Sequence, residues 1–281
     1  MLLRIFLLSI ICLAGIAVAP AQAPPVCQDD KPGRNCCGVT RIQDCPDTGC
    51  GGDPLLNRKK NKTSVPAAGD VEPLTILQIA NFKFPKKKDW HSGNPRDQLE
   101  QWGEGRAVQI SAFLIHAENY ASGNEGTNCN LGHNEYNDFH LVLVDNLTLA
   151  NKWKIADAKA DALTGTKKKA AKKTAKRAYK RAEKKSLTAE IGPRLRITSA
   201  AIGSETDSDR EFKLLQRLAK DFTYVRVTGW AMLDTQHIST PINRLSNWEI
   251  HPVTKFEGCT ATVAECDTGT GWKKLDEMPN P

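Results

Sequence analysis

The chain has 281 residues, of which 40% are hydrophobic and 25% are charged, and its formal net charge is +7. Beyond an apolar N-terminal segment, no apolar run approaches the ~20 residues that a membrane-spanning helix needs, which excludes a bundle of such helices. The roughly 260 residues that follow this segment are enough for one elaborated domain.

Residues 1–21 are predicted to be an export signal. Arg4 gives a positive start, residues 2–19 form an apolar core, and residues 19–21 (Ala-Pro-Ala) form a small-x-small cleavage site. Cys12 lies inside the apolar core and does not follow a lipoprotein box, which disfavours a lipid anchor. The mature protein is therefore expected in the periplasm or the extracellular space.

Eight of the nine cysteines remain after this signal, and an even number in an oxidising compartment indicates disulfide bonds. They are Cys27, Cys36, Cys37, Cys45, Cys50, Cys129, Cys259 and Cys266. Five of them lie in a Cys-rich head, residues 22–50. If all eight pair, at least one head cysteine must bond to the body of the protein. No C-x-x-C spacing occurs, so zinc in the head is disfavoured.

Residues 51–102 are rich in Gly, Lys, Asn and Pro, and they are interpreted as a linker and an irregular segment. The first predicted strand, residues 106–120, has Val108, Ile110, Ala112 and Leu114 on one face. The second, residues 138–144, turns Phe139, Leu141 and Leu143 inward. The third, residues 187–197, is broken by Gly-Pro at 192–193.

A helix is predicted next, because Ser208 and Glu211 form a capping box before an apolar stripe. Two strands with a period of two follow. The first is residues 224–233, and the second is residues 248–256, with Trp248, Ile250 and Phe256 on one face. Pro252 has no N–H, so it predicts an edge position or a bulge in the second of these strands.

Strand, strand, strand, helix, strand, strand is the order of an OB-fold. Residues 103–258 resemble that superfamily. More narrowly, D-x-H-L-V-L at 138–143 and W-E-I-H-P-V at 248–253 are similar to exported bacterial proteins of unassigned function. The resemblance implies a mainly β, OB-like five-stranded barrel with one helix between strands three and four. It implies no activity. Residues 259–281 are interpreted as a C-terminal tail.

A basic insertion, residues 151–186, separates strands two and three. Residues 167–185 hold eleven Lys or Arg and one Glu, a net charge of +10, so the rest of the +7 chain sums to −3. Ala, Lys and Arg favour helix. The insertion is interpreted either as a solvated helical hairpin or tether, or as an electrostatic contact with nucleic acid, anionic lipid or acidic glycan. The candidate binding residues are Lys172, Lys173, Lys176, Arg177 and Lys180.

Three acid–histidine pairs are predicted to meet at one rim of the barrel. Imidazole and carboxylate are the ligands of Zn, Mn or Fe, so the pairs predict a divalent transition-metal site, which His133 could join. The alternative is that each acid pairs locally with its histidine. The candidate ligands are Asp138, His140, Asp234, His237, Glu249 and His251.

The favoured function is a binding module for a polyanion, with Trp230, Trp248 and Tyr136 as candidate stacking residues. One alternative is a metal-dependent hydrolase that uses the acid–histidine pairs. The other is a structural envelope protein. The sequence has no G-x-S-x-G, H-E-x-x-H, P-loop or dinucleotide motif, which disfavours nucleophilic and nucleotide-dependent enzymes.

Overall fold

The computed structural model describes residues 38–119, 125–132, 134–198, 208–238 and 243–278. The predicted export signal and Cys27, Cys36, Cys37 and His133 lie outside these residues.

Seven strands form one sheet, and five of them close into a barrel. The strands are β1 (Glu72–Pro73), β2 (Ala107–Asn119), β3 (Phe139–Val144), β4 (Leu187–Ile191), β5 (Tyr224–Leu233), β6 (Trp248–Cys259) and β7 (Trp272–Lys274). Around the barrel the order is β2-β3-β4-β6-β5, and β5 pairs again with β2. β4 and β6 run parallel, and the other barrel pairs are antiparallel. This closed mixed barrel is compatible with the predicted OB-like fold.

Eight helices lie between or beside these strands in the described residues. They are α1 (Pro54–Lys60), α2 (Ile76–Ala80), α3 (Asp97–Trp102), α4 (Thr148–Asp161), α5 (Gly165–Glu183), α6 (Pro193–Thr198), α7 (Ser208–Lys220) and α8 (Val263–Asp267). The predicted helix between strands three and four is α7, and it begins at Ser208. Its Leu214, Leu215 and Leu218 are buried in the barrel core.

Alternate residues along the strands face the core, as the period of two predicted. Val108, Ile110, Ala112 and Leu114 of β2 are at most 1% exposed. Pro252 lies at a bulge: the β5–β6 register passes from Gly229↔Val253 to Ala231↔Ile250. Two residues of β6 therefore lie opposite one residue of β5, which is the arrangement of a β-bulge.

Three predicted segments differ from the structure. Residues 259–281 were interpreted as a tail, yet they contain α8 and β7, and Leu275 is buried in the core. The third strand ends at Ile191, and Pro193 begins α6, because proline fits the first turn of a helix and cannot donate to a strand ladder. Residues 51–102 were interpreted as a linker, yet they contain α1, α2 and α3. Ile76, Ile79 and Leu99 are fully buried in the core, so this segment is part of the packed structure.

The basic insertion forms a helical hairpin of α4 and α5, which confirms the predicted helical structure. Its base packs on the barrel through Ala150 and Ala182, which are buried with Ile115, Val144 and Phe222. Trp153 of α4 stacks against Tyr179 of α5 and Phe222. The hairpin is therefore anchored to the barrel by a small apolar cluster.

A disulfide bond joins the head to the barrel, as the odd number of head cysteines predicted. Cys45 pairs with Cys129, in the connection between β2 and β3. Cys259 pairs with Cys266, and Cys50 is also disulfide-bonded. Disulfides are typical of proteins in oxidising compartments. None of the helices in the described ranges has the length and apolar character needed to span a membrane.

Candidate functional site

Polar side chains on the outer face of three adjacent strands form a buried row. Across β3 and β4, His140 pairs with Glu190. β4 and β6 pair next, with Ala189 opposite Ile250. Because Leu141, Ala189 and Ile250 face the core, His140, Glu190 and His251 point to the opposite face. That face is covered where α1 contacts β6, and Glu190 and His251 are at most 3% exposed.

Three side chains of this region come close enough to share one ion. Asp138, Glu190 and His251 each offer a ligand atom, and these atoms all lie within 4.8 Å of one another. We call these residues the acid–histidine trio. His251 Nε2 lies 3.6 Å from Asp138 Oδ2, and His251 Nδ1 lies 2.8 Å from Glu190 Oε2. All three residues are buried.

Neighbouring residues hold the two carboxylates of the trio. Asn128 donates from Nδ2 to Asp138 Oδ1 at 3.1 Å. Glu190 Oε1 lies 3.0 Å from His140 Nδ1. Each carboxylate therefore has one oxygen held by a neighbour and the other oxygen directed at His251.

The remaining predicted metal ligands have different partners. Asp234 Oδ2 lies 2.5 Å from His237 Nδ1 and also accepts from Arg244. Arg244 donates its other nitrogen to Glu249 Oε2 at 2.7 Å. The structure thus places Asp234, His237 and Glu249 around the Arg244 guanidinium. Asp234 therefore pairs with its neighbouring histidine, whereas the nearest partner of Glu249 is Arg244.

Glu190 is the one trio residue that the sequence reasoning missed. The predicted ligands were acids with a histidine two or three residues away, and Glu190 has no such neighbour in the sequence. A signal was present: alternation from Leu187 turns Glu190 outward, and in an OB-like order strand three lies between strands two and five.

Burial and charge shift the pKa values of the trio in different directions. Burial, reinforced by the nearby Glu125 charge, raises the pKa of Asp138 to about 6. Burial opposes protonation of His251, but the surrounding carboxylates outweigh it and raise its pKa to about 9. Burial would likewise raise the pKa of Glu190, yet the attraction of His140 and His251 holds it well below its ordinary value. The negative charges of the carboxylates therefore dominate the electrostatic potential around His251.

Lys60 at the end of α1 lies beside the same carboxylates. Burial alone would lower the pKa of its ammonium group, but Glu190, Asp234, Glu249 and Asp138 together raise it. The half-buried Lys60 thus brings one positive charge from the N-terminal segment to the barrel face.

The predicted stacking aromatics occupy different environments. Trp248 is fully buried in the core, and its Nε1 donates to the carbonyl oxygens of Phe82 and Lys83, so it has no free face for a ligand. Tyr136 packs against the apolar cluster of the head. Trp230 is half-buried, and the Lys62 ammonium lies 3.0 Å from its ring centroid.

A cavity of about 420 Å³ opens beside Trp230. It lies between the residues that follow α1 and the strands β5 and β6. His251 forms part of its wall, together with Asn61, Lys62 and Trp230. The cavity therefore gives one residue of the trio a path toward solvent.

The candidate basic residues of α5 divide into two groups. Lys172 is half-buried and pairs with Asp157 at 2.8 Å and Asp161 at 3.0 Å, so it stabilises the hairpin. The others are exposed: Lys173, Lys176, Arg177 and Lys180. None of these four takes part in a salt bridge within the described part of the chain.

No protein-family model, curated protein or solved structure matches this chain. Its site is therefore interpreted from its own geometry.

Proposed function

We propose that the protein is an exported binding module that holds a linear polyanion on the outward face of α5. The observation that carries this proposal is the cationic stripe, which we define as Lys173, Lys176, Arg177 and Lys180. All four side chains are exposed. Their spacing of three and four residues places them on one side of the helix.

The side of α5 opposite the cationic stripe packs against the rest of the protein and fixes the rotation of the helix. Ala175 and Ala182 are buried, and Lys172 is paired with acids of α4, so the helix cannot turn its basic face inward without losing these contacts. Lys168 also pairs with Asp161. The acids of α4 thus neutralise the inner cations and leave the outer ones to attract anions.

Length and charge density suit a polymeric ligand better than a small anion. From Lys173 to Lys180 the helix rises about 10 Å, which spans several phosphates or acidic sugar groups. Lys169 and Lys184, both exposed, extend the same face at either end. Binding by several charges releases counterions, so the affinity should fall steeply with salt.

The hairpin also keeps the ligand apart from the acid–histidine trio. It leaves the barrel after Val144 at the end of β3 and returns before Leu187 at the start of β4. Asp138 and Glu190 lie at the other ends of these two strands. A polyanion on α5 therefore does not meet the repulsive carboxylates.

The test compares two variants with the same change in charge. The hairpin variant has glutamine in place of Lys173, Lys176 and Lys180. The control variant has glutamine in place of three lysines that are exposed elsewhere on the protein, Lys83, Lys86 and Lys88. Binding to a duplex DNA and to a sulfated glycan is measured over a range of salt concentrations. We expect the first variant to flatten the slope of log K against log salt for duplex DNA by about 2–3.

The control should bind more tightly than the hairpin variant at every salt concentration. Equal losses of affinity in the two variants would mean that only the net charge of the protein matters. This result would refute a specific binding face on α5. No binding of either polymer by the unmodified protein would also refute the proposal. The stronger of the two ligands identifies the class of polyanion.

A further inference from the structure

We propose that the acid–histidine trio, Asp138, Glu190 and His251, binds one divalent transition-metal ion of the zinc class. This inference is independent of polyanion binding, because it concerns other residues at the opposite ends of β3 and β4. It rests on the convergence of three ligand atoms, on buried polar atoms without partners, and on the orientation of both carboxylates.

Buried atoms of the trio are left without hydrogen bonds. His251 is 1% exposed, and neither of its ring nitrogens has a hydrogen-bond partner. Its Nδ1 lies at ion-pair distance, 2.8 Å, from Glu190 Oε2, but neither of these two atoms forms a hydrogen bond. Unsatisfied buried polar groups are costly, so a missing partner is expected here. A cation between these atoms would satisfy them together.

The distances fit a single ion. Two ligands of a tetrahedral zinc ion, each bonded at ~2.0–2.1 Å, are separated by about 3.3 Å. His251 Nε2 and Asp138 Oδ2 are already 3.6 Å apart. One ligand atom from each of the three residues lies within 4.8 Å of those of the other two, so small side-chain rotations complete the set.

The surrounding side chains act as the outer contacts of a metal site. Asn128 holds Asp138 Oδ1, and His140 holds Glu190 Oε1, which leaves the second oxygen of each carboxylate for the ion. Binding through His251 Nε2 would leave Nδ1 facing the carboxylates of Glu190, at 2.8 Å, and Glu249, at 3.5 Å. A carboxylate on the second nitrogen is the usual way in which proteins orient a metal-bound histidine.

The ligand set also indicates the type of metal. One imidazole and two carboxylates suit Zn, Mn or Fe better than calcium or magnesium, which favour oxygen ligands alone. Three protein ligands leave a coordination position open. His251 also forms part of the wall of the cavity of about 420 Å³.

The experiment titrates Zn²⁺ into the metal-free mature protein in competition with a chromophoric chelator. We expect one ion per chain. His251→Ala, Asp138→Asn and Glu190→Gln should each weaken binding by about 100-fold or more, because each removes one of only three ligands. His140→Ala should weaken it by about 10–100-fold, the usual effect of an outer contact.

The matched control is His237→Ala. This histidine also pairs with an acid at the same rim, but it lies outside the trio, so its loss should leave zinc affinity unchanged. Co²⁺ added to the unmodified protein should give visible absorption bands that His251→Ala abolishes.

The proposal is overturned if the unmodified protein binds less than one zinc ion per chain, a result that does not depend on any variant folding. It is also overturned if His251→Ala and His237→Ala change the affinity equally. Asp138→Asn and Glu190→Gln conserve side-chain size, so they retain the fold and separate loss of ligation from loss of structure. A rise in Tm with Zn²⁺ that persists in both of these variants would contradict the assignment.

Discussion

Cys45 and Cys129 are bonded across a sequence separation of 84 residues, and Asn128, beside Cys129, donates to the carboxylate of Asp138. The disulfide therefore fixes both the head and the loop that orients the trio. Chain entropy predicts that a loop of this length stabilises the fold by about 4–5 kcal/mol. We expect the Cys45→Ala/Cys129→Ala double variant to lose stability of this order in urea unfolding.

The second disulfide supplies the control for this prediction. Cys259 and Cys266 are separated by only 7 residues, so the same entropy argument gives about 2 kcal/mol. The Cys259→Ala/Cys266→Ala variant should therefore be clearly the more stable of the two. The reverse order would contradict the entropic explanation.

Arg96 and Glu104 form a bidentate ion pair that is almost completely buried. Arg96 Nε donates to Glu104 Oε2 at 2.7 Å, and the exposed fractions of the two side chains are 3% and 1%. Glu104→Gln leaves the guanidinium without a counter-charge, which should cost about 3–5 kcal/mol of unfolding free energy. The control is Glu72→Gln, which breaks the exposed pair with Arg106 and should cost less than about 1 kcal/mol. Equal losses of unfolding free energy in the two variants would refute a buried ion pair between Arg96 and Glu104.

Gly229 allows β5 to approach the bulge of β6. A Cβ atom at this position would lie 2.4 Å from the carbonyl oxygen of Pro252 and 3.0 Å from Val253 Cα. Because both contacts are with backbone, Gly229→Ala should destabilise the barrel by about 1–3 kcal/mol or more. Gly69→Ala, which meets no atom within 4 Å, serves as the control and should leave the Tm nearly unchanged. A similar Tm for both variants would contradict the close approach of β5 to the bulge of β6.

The pH dependence of His237 tests the Asp234 pair. The contact with the Asp234 carboxylate raises the pKa of His237 above 6.5, although partial burial opposes it. The pair therefore adds stability that is fully present below pH 6.5 and is lost as the pH rises through the folded-state value. NMR titration should show this raised value and its decrease in Asp234→Asn. Titration of His237 at or below 6.5 in the unmodified protein would show that the pair is not formed.

Much of the barrel follows from local pattern. The alternation in residues 224–233 predicts β5 with its observed bounds, and Pro252, which has no N–H, predicts an edge position or a bulge in β6, of which the structure has the bulge. The parity of the head cysteines predicts a head-to-barrel disulfide without saying which residues form it. Ala and Lys composition predicts the helical hairpin. The strand, the bulge and the hairpin depend on a residue and its near neighbours in sequence, and the disulfide prediction depends on the number of cysteines in the head.

The partners of the polar side chains could not be read from the sequence. Lys172 and Lys173 are adjacent lysines in the same basic run, but only Lys172 is turned toward Asp157 and Asp161 by the packing of α5 against α4. Trp248 was placed with Ile250 and Phe256 on one face, and the closure of the barrel made that face the core.

The sequence by itself determined the order of the five barrel strands along the chain, the helical hairpin and the need for a bond between head and body. Backbone periodicity and helix propensity are local properties, and the number of cysteines can be counted. Only the tertiary structure decided which acids and histidines meet. Glu190 reaches Asp138 and His251 because β4 lies between β3 and β6 in the closed barrel. Contacts between residues so far apart in the chain depend on register and on what covers the barrel face, and no short stretch of sequence encodes either.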